Sequence, residues 1–497
     1  MLALSFPKFG HPALGWIALA PLLLALGQTV REVAPALPKR PGRRAFALGL
    51  VAGIVYFAGT LYWLVGTMRT FGGLPVPLAV IVCGLLVVFL SLYVGLFAWL
   101  QARAFRRFGA PAVWLAPFLW VASEYLRSWL GGGFPWVLLG YSQATVLPIA
   151  QVASIGGVFL LSFVVALVSA AAAWTALTRT PSRWMVSGAV IGAVVALGVW
   201  GTLRIRDARL TSEGEAITVG LVQGNIAQED KWNPALAVPI LNRYLELSRK
   251  AVGAGAKVVI WPESSTPFFF EEDPILAEPV RRLALQSQTP FVIGSDQLER
   301  AQQQRFYNAA FLIGADGGTR AVYRKMHLVP FGEYVPLKQL LPFVGPLVEA
   351  VSDFSPGLEP VLLPIGDRRL SVAICYEVVY PWLIRSFVLG GSELLVTITN
   401  DAWYGTTSAA YQHWEQASLR AVEQGRYLVR AANTGITGIV DPYGRVIART
   451  RLFETEVVTG EVRWNTRRTL YATMGDLIAW ISLALMVLTY AYTRRTS

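Results

Sequence analysis

Three polar residues close apolar, strand-like runs in a suggestive order. Glu263 ends KVVIWPE (257–263), Lys325 follows the hairpin FYNAAFLIGADGGTRAVYRK (306–325), and Cys375 sits near the end of RLSVAICYE (369–377). Taken singly, each has an ordinary reading: a solvated loop carboxylate, a surface lysine, a small buried hydrophobe. Together they make a different object. The carboxylate can take the thiol proton, and the ammonium can favour the thiolate and hold a tetrahedral oxyanion. That is a complete set for acyl transfer through a thioester.

The elements that must position these residues alternate between strand and helix. AITVGLVQ (216–223), the runs at 257–263, 290–296 and 369–377, and ELLVTITND (393–401) read as strands. Stretches 234–252, 274–288, 381–389 and 408–426 read as helices, and Asp316-Gly317-Gly318 as a hairpin turn. Near-continuous apolar strands between helices predict a layered α/β fold with buried sheets. No GxGxxG, GxxxxGK[ST] or GxSxG follows any strand, which argues against a nucleotide fold or a serine hydrolase.

This block occupies only part of the 497 residues. Residues 207–472 carry 26 Lys+Arg against 28 Asp+Glu, whereas the remainder carries 17 Lys+Arg and only Glu32, Glu124 and Asp476. The formal +12 therefore belongs to the flanks, and nucleic acid is not an expected partner of the folded block. The flanks hold apolar runs near 11–29, 46–68, 77–102, 110–128, 148–177, 184–203 and 474–493, each near the roughly 20 residues that cross a bilayer. The domains expected are a membrane region over 1–206, an α/β domain over 207–472, and a last span with its tail over 473–497.

Twelve Lys and Arg residues fall in alternate loops on one face (Arg31, Lys39, Arg40, Arg43, Arg44, Arg103, Arg106, Arg107, Arg179, Arg183, Arg494, Arg495) and five on the other. Positive loops stay cytoplasmic, so the α/β domain and the N-terminus are expected outside and the C-terminus inside. Cys83 lies in a span and Cys375 in the outer domain, a poor pair for a disulfide. Glu124 and Arg127 stand three apart on one helix face, either a functional intramembrane acid or a self-paired support.

WPES, YRKMHLVPFGEYVP and ICYE, in that order, resemble the Glu-Lys-Cys motifs of the nitrilase superfamily. With the surrounding spans, the match is to its membrane-embedded branch, the apolipoprotein N-acyltransferases. QGNIAQEDKW (223–232), TNDAWYG (399–405), QHWEQASLRAVEQGR (412–426), TFGGLP (70–75) and GFPWVLLGYSQ (133–143) extend the resemblance over nearly the whole chain. Family members typically have eight spans with both ends cytoplasmic, against seven here.

The resemblance implies an αββα sandwich for the outer domain, beside a polytopic helical bundle in a bacterial inner membrane. It implies Glu263, Lys325 and Cys375 as the catalytic triad, with Glu333, Glu377, Tyr376 and Trp232 as supporting residues. It also implies a phospholipid acyl donor, the α-amine of a diacylglyceryl apolipoprotein as acceptor, and no ATP, acyl-CoA or metal cofactor. With three histidines in all (His11, His327, His413), a His-based metal site is not expected.

TPFFFEE (266–272) and LLPFVGPLVEAV (340–351) are apolar loops. Phe268, Phe343 and Val344 there, with Trp403, are expected at the lipid site, the loops acting as a lid or else folding back on the core. A monomer is expected. Two other readings share the triad: a membrane-tethered amidohydrolase with water as acceptor, and a lipid-binding or assembly protein whose nitrilase-like domain is inactive.

Overall fold

The structure, a computed structural model, describes residues 1–31, 41–300, 304–330, 332–334 and 354–494. The chain divides into two compact units. One comprises Met1–Asp207, Thr407–Leu419 and Thr469–Ser497, and the other Ala208–Thr406 and Arg420–Arg468.

Among the described residues, five helices are long and apolar enough to cross a membrane: Gly42–Leu61, Val76–Phe108, Ala153–Leu177, Ser182–Ser212 and Leu477–Arg494. Two expected spans are shorter than anticipated. Over 110–128 the chain forms a 3-10 segment, Ala110–Leu115, and then the α-helix Ala116–Arg127. Over 11–29 the 3-10 segment Pro12–Ile17 precedes Ala20–Arg31. Pro21 and Pro117, each in the first turn of its α-helix, explain the breaks, because proline is tolerated in a first helical turn but cannot continue a preceding one.

Glu124 and Arg127 are buried and hold up a loop. Glu124 Oε1 accepts from Leu139 N–H at 2.6 Å, and Arg127 Nη1 donates to the carbonyls of Phe134 and Trp136, both at 2.8 Å. This favours the supporting reading of the two residues. The helix Ser408–Gln424, expected wholly within the α/β domain, has its residues 408–419 in this helical unit. There Gln412 Oε1 accepts from Trp136 Nε1 at 2.7 Å.

The second unit holds two six-stranded sheets. Strands β1 (Ala216–Gln223), β2 (Val258–Ile260), β3 (Phe291–Arg300), β4 (Gln304–Ile313) and β5 (Thr319–Arg324) lie in the order β12-β1-β2-β3-β4-β5, with β12 (Glu456–Arg463) at one edge. The other sheet runs β11-β10-β9-β8-β7-β6, from β6 (Leu362–Ile365), β7 (Arg368–Ile374), β8 (Leu394–Thr399), β9 (Leu428–Ala432), β10 (Gly438–Val440) and β11 (Val446–Arg449).

The central pairs β1–β2, β2–β3, β7–β8 and β8–β9 are parallel, and the margins of both sheets are antiparallel. Helices Ala237–Gly253 and Pro274–Ser287 cover the first sheet, burying Ile240, Leu241, Tyr244, Ala277 and Val280 against Val259, Trp261, Phe291 and Phe311. Such strands, apolar on both faces, are what a sheet enclosed on both sides requires.

Candidate active site

Glu263 stands just beyond β2, where Pro262 ends the ladder because it has no N–H to donate. The chain then turns sharply, with Ser264 at φ 41. Gly294 on β3 makes room for the turn, since a Cβ there would lie 2.2 Å from the Pro262 carbonyl oxygen. Lys325 follows β5, its N–H bonded to the Asn308 carbonyl on β4 at 2.8 Å. Cys375 closes β7 at φ 54 and begins a 3-10 segment, Cys375–Val379. A non-glycine residue in that left-handed region costs on the order of 1–3 kcal/mol, and surrounding bonds must hold it there.

Glu377 supplies part of that hold. Its Oε2 accepts from Ile374 N–H at 2.7 Å, while Oε1 accepts from Met326 N–H at 2.6 Å, His327 N–H at 3.1 Å and the Tyr323 hydroxyl at 2.8 Å. Burial pushes its carboxyl up to about 7 against these donors. One side chain thus ties the nucleophile's strand end to the turn after Lys325.

All three motif residues are buried: Glu263 and Cys375 are 6% exposed and Lys325 1%. Glu263 Oε1 accepts from Lys325 Nζ at 3.3 Å and Asn308 Nδ2 at 2.8 Å, and Oε2 from Asn400 N–H at 2.8 Å. Lys325 Nζ also donates to Glu333 Oε1 at 2.8 Å. Glu333 Oε1 further accepts from Asn308 Nδ2 at 2.9 Å, and Oε2 from Val329 N–H at 2.8 Å. Each polar head therefore has several partners, as a buried ion pair requires.

The charges follow from these contacts. Burial alone would raise the Glu263 carboxyl, but Lys325, Lys231, Asn308 and Asn400 reverse this and hold it below the usual carboxylate range. Burial would lower Lys325, yet Glu333 and Glu263 hold it above the usual lysine range. Burial, and next the Glu263 charge, raise the Cys375 thiol, while Lys325 and the Thr399 hydroxyl oppose them. At rest the set is an ionised carboxylate, a fixed ammonium and a neutral thiol.

Other expected residues divide. Tyr376 is buried beside Cys375, and Trp232 and Trp403 are 46% and 36% exposed. Phe268 is not at a lipid-facing surface. It packs in the core with Phe270, their ring centroids 6.5 Å apart, so 266–272 folds back on the domain and its hydrophobicity is core hydrophobicity. Phe343 and Val344, with the whole of 340–351, lie outside the described residues.

Sequence reasoning missed Asn308 and Asn400, which hold Glu263, and the buried pair Arg430–Asp401 at 2.7 Å beyond β8 and on β9. It also missed Lys231 and Asp296. An isolated polar residue inside FYNAAF was the one available signal for Asn308. Among the described residues no group of three or more His, Cys, Asp and Glu side chains could hold a metal.

A carboxylate and a lysine at the ends of one sheet's strands, and a cysteine at the end of a strand in the other, define a carbon-nitrogen hydrolase domain. The family profile of that description matches residues 218–471, and the one described as apolipoprotein N-acyltransferase N-terminal domain matches residues 1–171. The apolipoprotein N-acyltransferase of Geobacter metallireducens is 41% identical over 100% of this chain and 94% of its own length. That of Shewanella oneidensis is 34% identical, covering 87% and 84%. That of Pseudomonas aeruginosa PAO1 is 35% identical, covering 85% and 82%. Among solved structures, an amidase from Nesterenkonia sp. is similar at 20% identity and a TM-score of 0.40, over 54% of this chain and 98% of that one. The chain belongs to the apolipoprotein N-acyltransferase family.

Proposed function

We propose that this membrane acyltransferase moves an acyl chain from a phospholipid, through a thioester on Cys375, to the α-amine of a diacylglyceryl-cysteine on an apolipoprotein. Glu263 takes the Cys375 proton as the sulfur attacks the ester carbonyl. Lys325 and the Tyr376 N–H stabilise the oxyanion. The ester C–O bond then breaks, and Glu263 returns its proton to the departing lysophospholipid oxygen. In the second half the amine attacks the thioester and Glu263 accepts its proton. The C–N bond forms, the C–S bond breaks, and the proton returns to sulfur. Glu333 and Glu377 orient Lys325 and the Cys375 strand end, and Trp232 and Trp403 flank the entrance for acyl chains.

The observation that carries this reading is the Glu263 carboxylate, held by three donors and kept ionised, in electrostatic contact with a neutral, strained Cys375. The loop charge bias supports a catalytic domain on the periplasmic face and a C-terminus in the cytoplasm.

Incubating the full-length protein with acyl-labelled phospholipid, then adding a diacylated lipopeptide, tests the reading. Label appearing on the peptide amine, and absent with Cys375→Ser, is expected. Label lost only to water would replace the transferase by a hydrolase.

A further inference from the structure

The reaction as written gives no role to two buried ionisable groups near Glu263, Lys231 and Asp296. Lys231 is 3% exposed and Asp296 6%. Lys231 Nζ donates to the backbone carbonyl of Glu263 at 3.0 Å, and Asp296 Oδ1 accepts from the Ser264 hydroxyl at 2.8 Å. The peptide between these two anchors is the left-handed turn that aims the Glu263 side chain. Ser265 N–H and Oγ then fasten the chain to the Gly294 carbonyl at 2.7 and 2.8 Å. A buried ammonium needs compensation, and the charges that reach Lys231 are those of Glu263, Asp296 and Cys375. Asp296 in turn feels Glu263 and Glu333, and Glu263 feels Lys325.

We propose that Lys231 is a positioning residue for the general base: it clamps the strained Glu263–Ser264 turn and gives the base–thiol pair a second fixed positive charge. This rests on the acyl-transfer reading given above. Proton transfer moves a negative charge from the Glu263 carboxylate to the Cys375 sulfur. Lys231 attracts both, so it keeps the charge inside the site as it migrates. Burial pulls the lysine down to about 8, against the attraction of Glu263, Asp296 and Cys375, and pushes Asp296 up to about 6. The second positive charge is therefore present at neutral pH and is lost as pH rises through about 8.

The test compares wild type, Lys231→Met and Lys231→Arg as full-length enzymes. Two rates are followed between about pH 6 and 10: single-turnover acylation of Cys375 by labelled phospholipid, and alkylation of Cys375 by iodoacetamide. Lys231→Met should be about 10- to 100-fold slower in both below pH 8. The gap to wild type should close as pH passes about 8. Lys231→Arg, charged throughout, should recover most of the neutral rate and carry it past the pH at which wild type declines.

A gap that stays constant with pH would leave Lys231 a purely structural residue and overturn the proposal, as would a Met variant within twofold of wild type. If Lys231→Met does not fold, the alkaline limit of Lys231→Arg against wild type decides alone, and an unmoved limit overturns it. Alkylation needs no lipid turnover. A wild type that never acylates would therefore sink the transferase reading while still deciding the role of Lys231.

Discussion

Replacing Glu333 by glutamine removes one charge and one acceptor from a carboxylate that receives three hydrogen bonds. If the amide oxygen keeps Lys325 and Asn308, the new NH2 faces the Val329 N–H across 2.8 Å. If the amide flips, the NH2 faces an ammonium instead. The first arrangement is cheaper, leaving one donor opposed at about 1–3 kcal/mol and weakening a charge-assisted bond worth about 1.5–3 kcal/mol. Together they approach the roughly 3–5 kcal/mol of a broken buried pair.

Of its two ionised partners Lys325 would then keep Glu263, at 3.3 Å. Displacing an oxyanion ligand on this scale should slow acylation about 10- to 100-fold. Denaturant unfolding and single-turnover acylation, measured on one preparation, check both numbers, and the shape of the pH profile should be preserved. A rate within twofold of wild type would refute the positioning of Lys325 by Glu333. A loss beyond about a thousandfold at native stability would instead make Glu333 a direct proton carrier.

Phe268→Ala should destabilise the protein by about 3–5 kcal/mol, as for a core aromatic, so its thermal unfolding temperature should fall; unchanged stability with altered lipid turnover would return it to the lid. Gly294→Ala places a methyl 2.7 Å from Glu263 Cα and 2.2 Å from the Pro262 oxygen, and should slow acylation about a hundredfold in protein whose far-ultraviolet circular dichroism is retained. The Glu263 carboxyl is depressed from its ordinary 4.5, so its stabilisation is present above that pH and lost as pH falls through the lower folded value. Glu263→Gln should accordingly flatten this part of the acid-unfolding curve and abolish acylation; an unaltered acid transition would count against the ion pair.

Glu263, Lys325 and Cys375 were legible as candidates because each follows an apolar strand and because WPES, YRK and ICYE occur in one order. The residues that tune it were not. Asn308 and Asn400 reach Glu263 from β4 and from beyond β8, contacts that no local spacing encodes. Strand β9 escaped notice partly because buried Arg430 breaks its apolar pattern, and the ion pair it makes with Asp401 is a tertiary contact. A run such as TPFFFEE has no periodicity to separate core from exposed loop, so the sequence leaves both readings open and the packing of Phe268 favours the core. Proline placement, by contrast, is visible in the sequence at 21 and 117, where the two shorter helices begin.

Peptide mapping by mass spectrometry of enzyme quenched in acid after mixing with phospholipid tests the central claim most directly. A single acyl group on the peptide containing Cys375, released by neutral hydroxylamine and absent in Cys375→Ala, is the predicted result. An acyl group on any other residue, or turnover that persists in Cys375→Ala, would contradict the account.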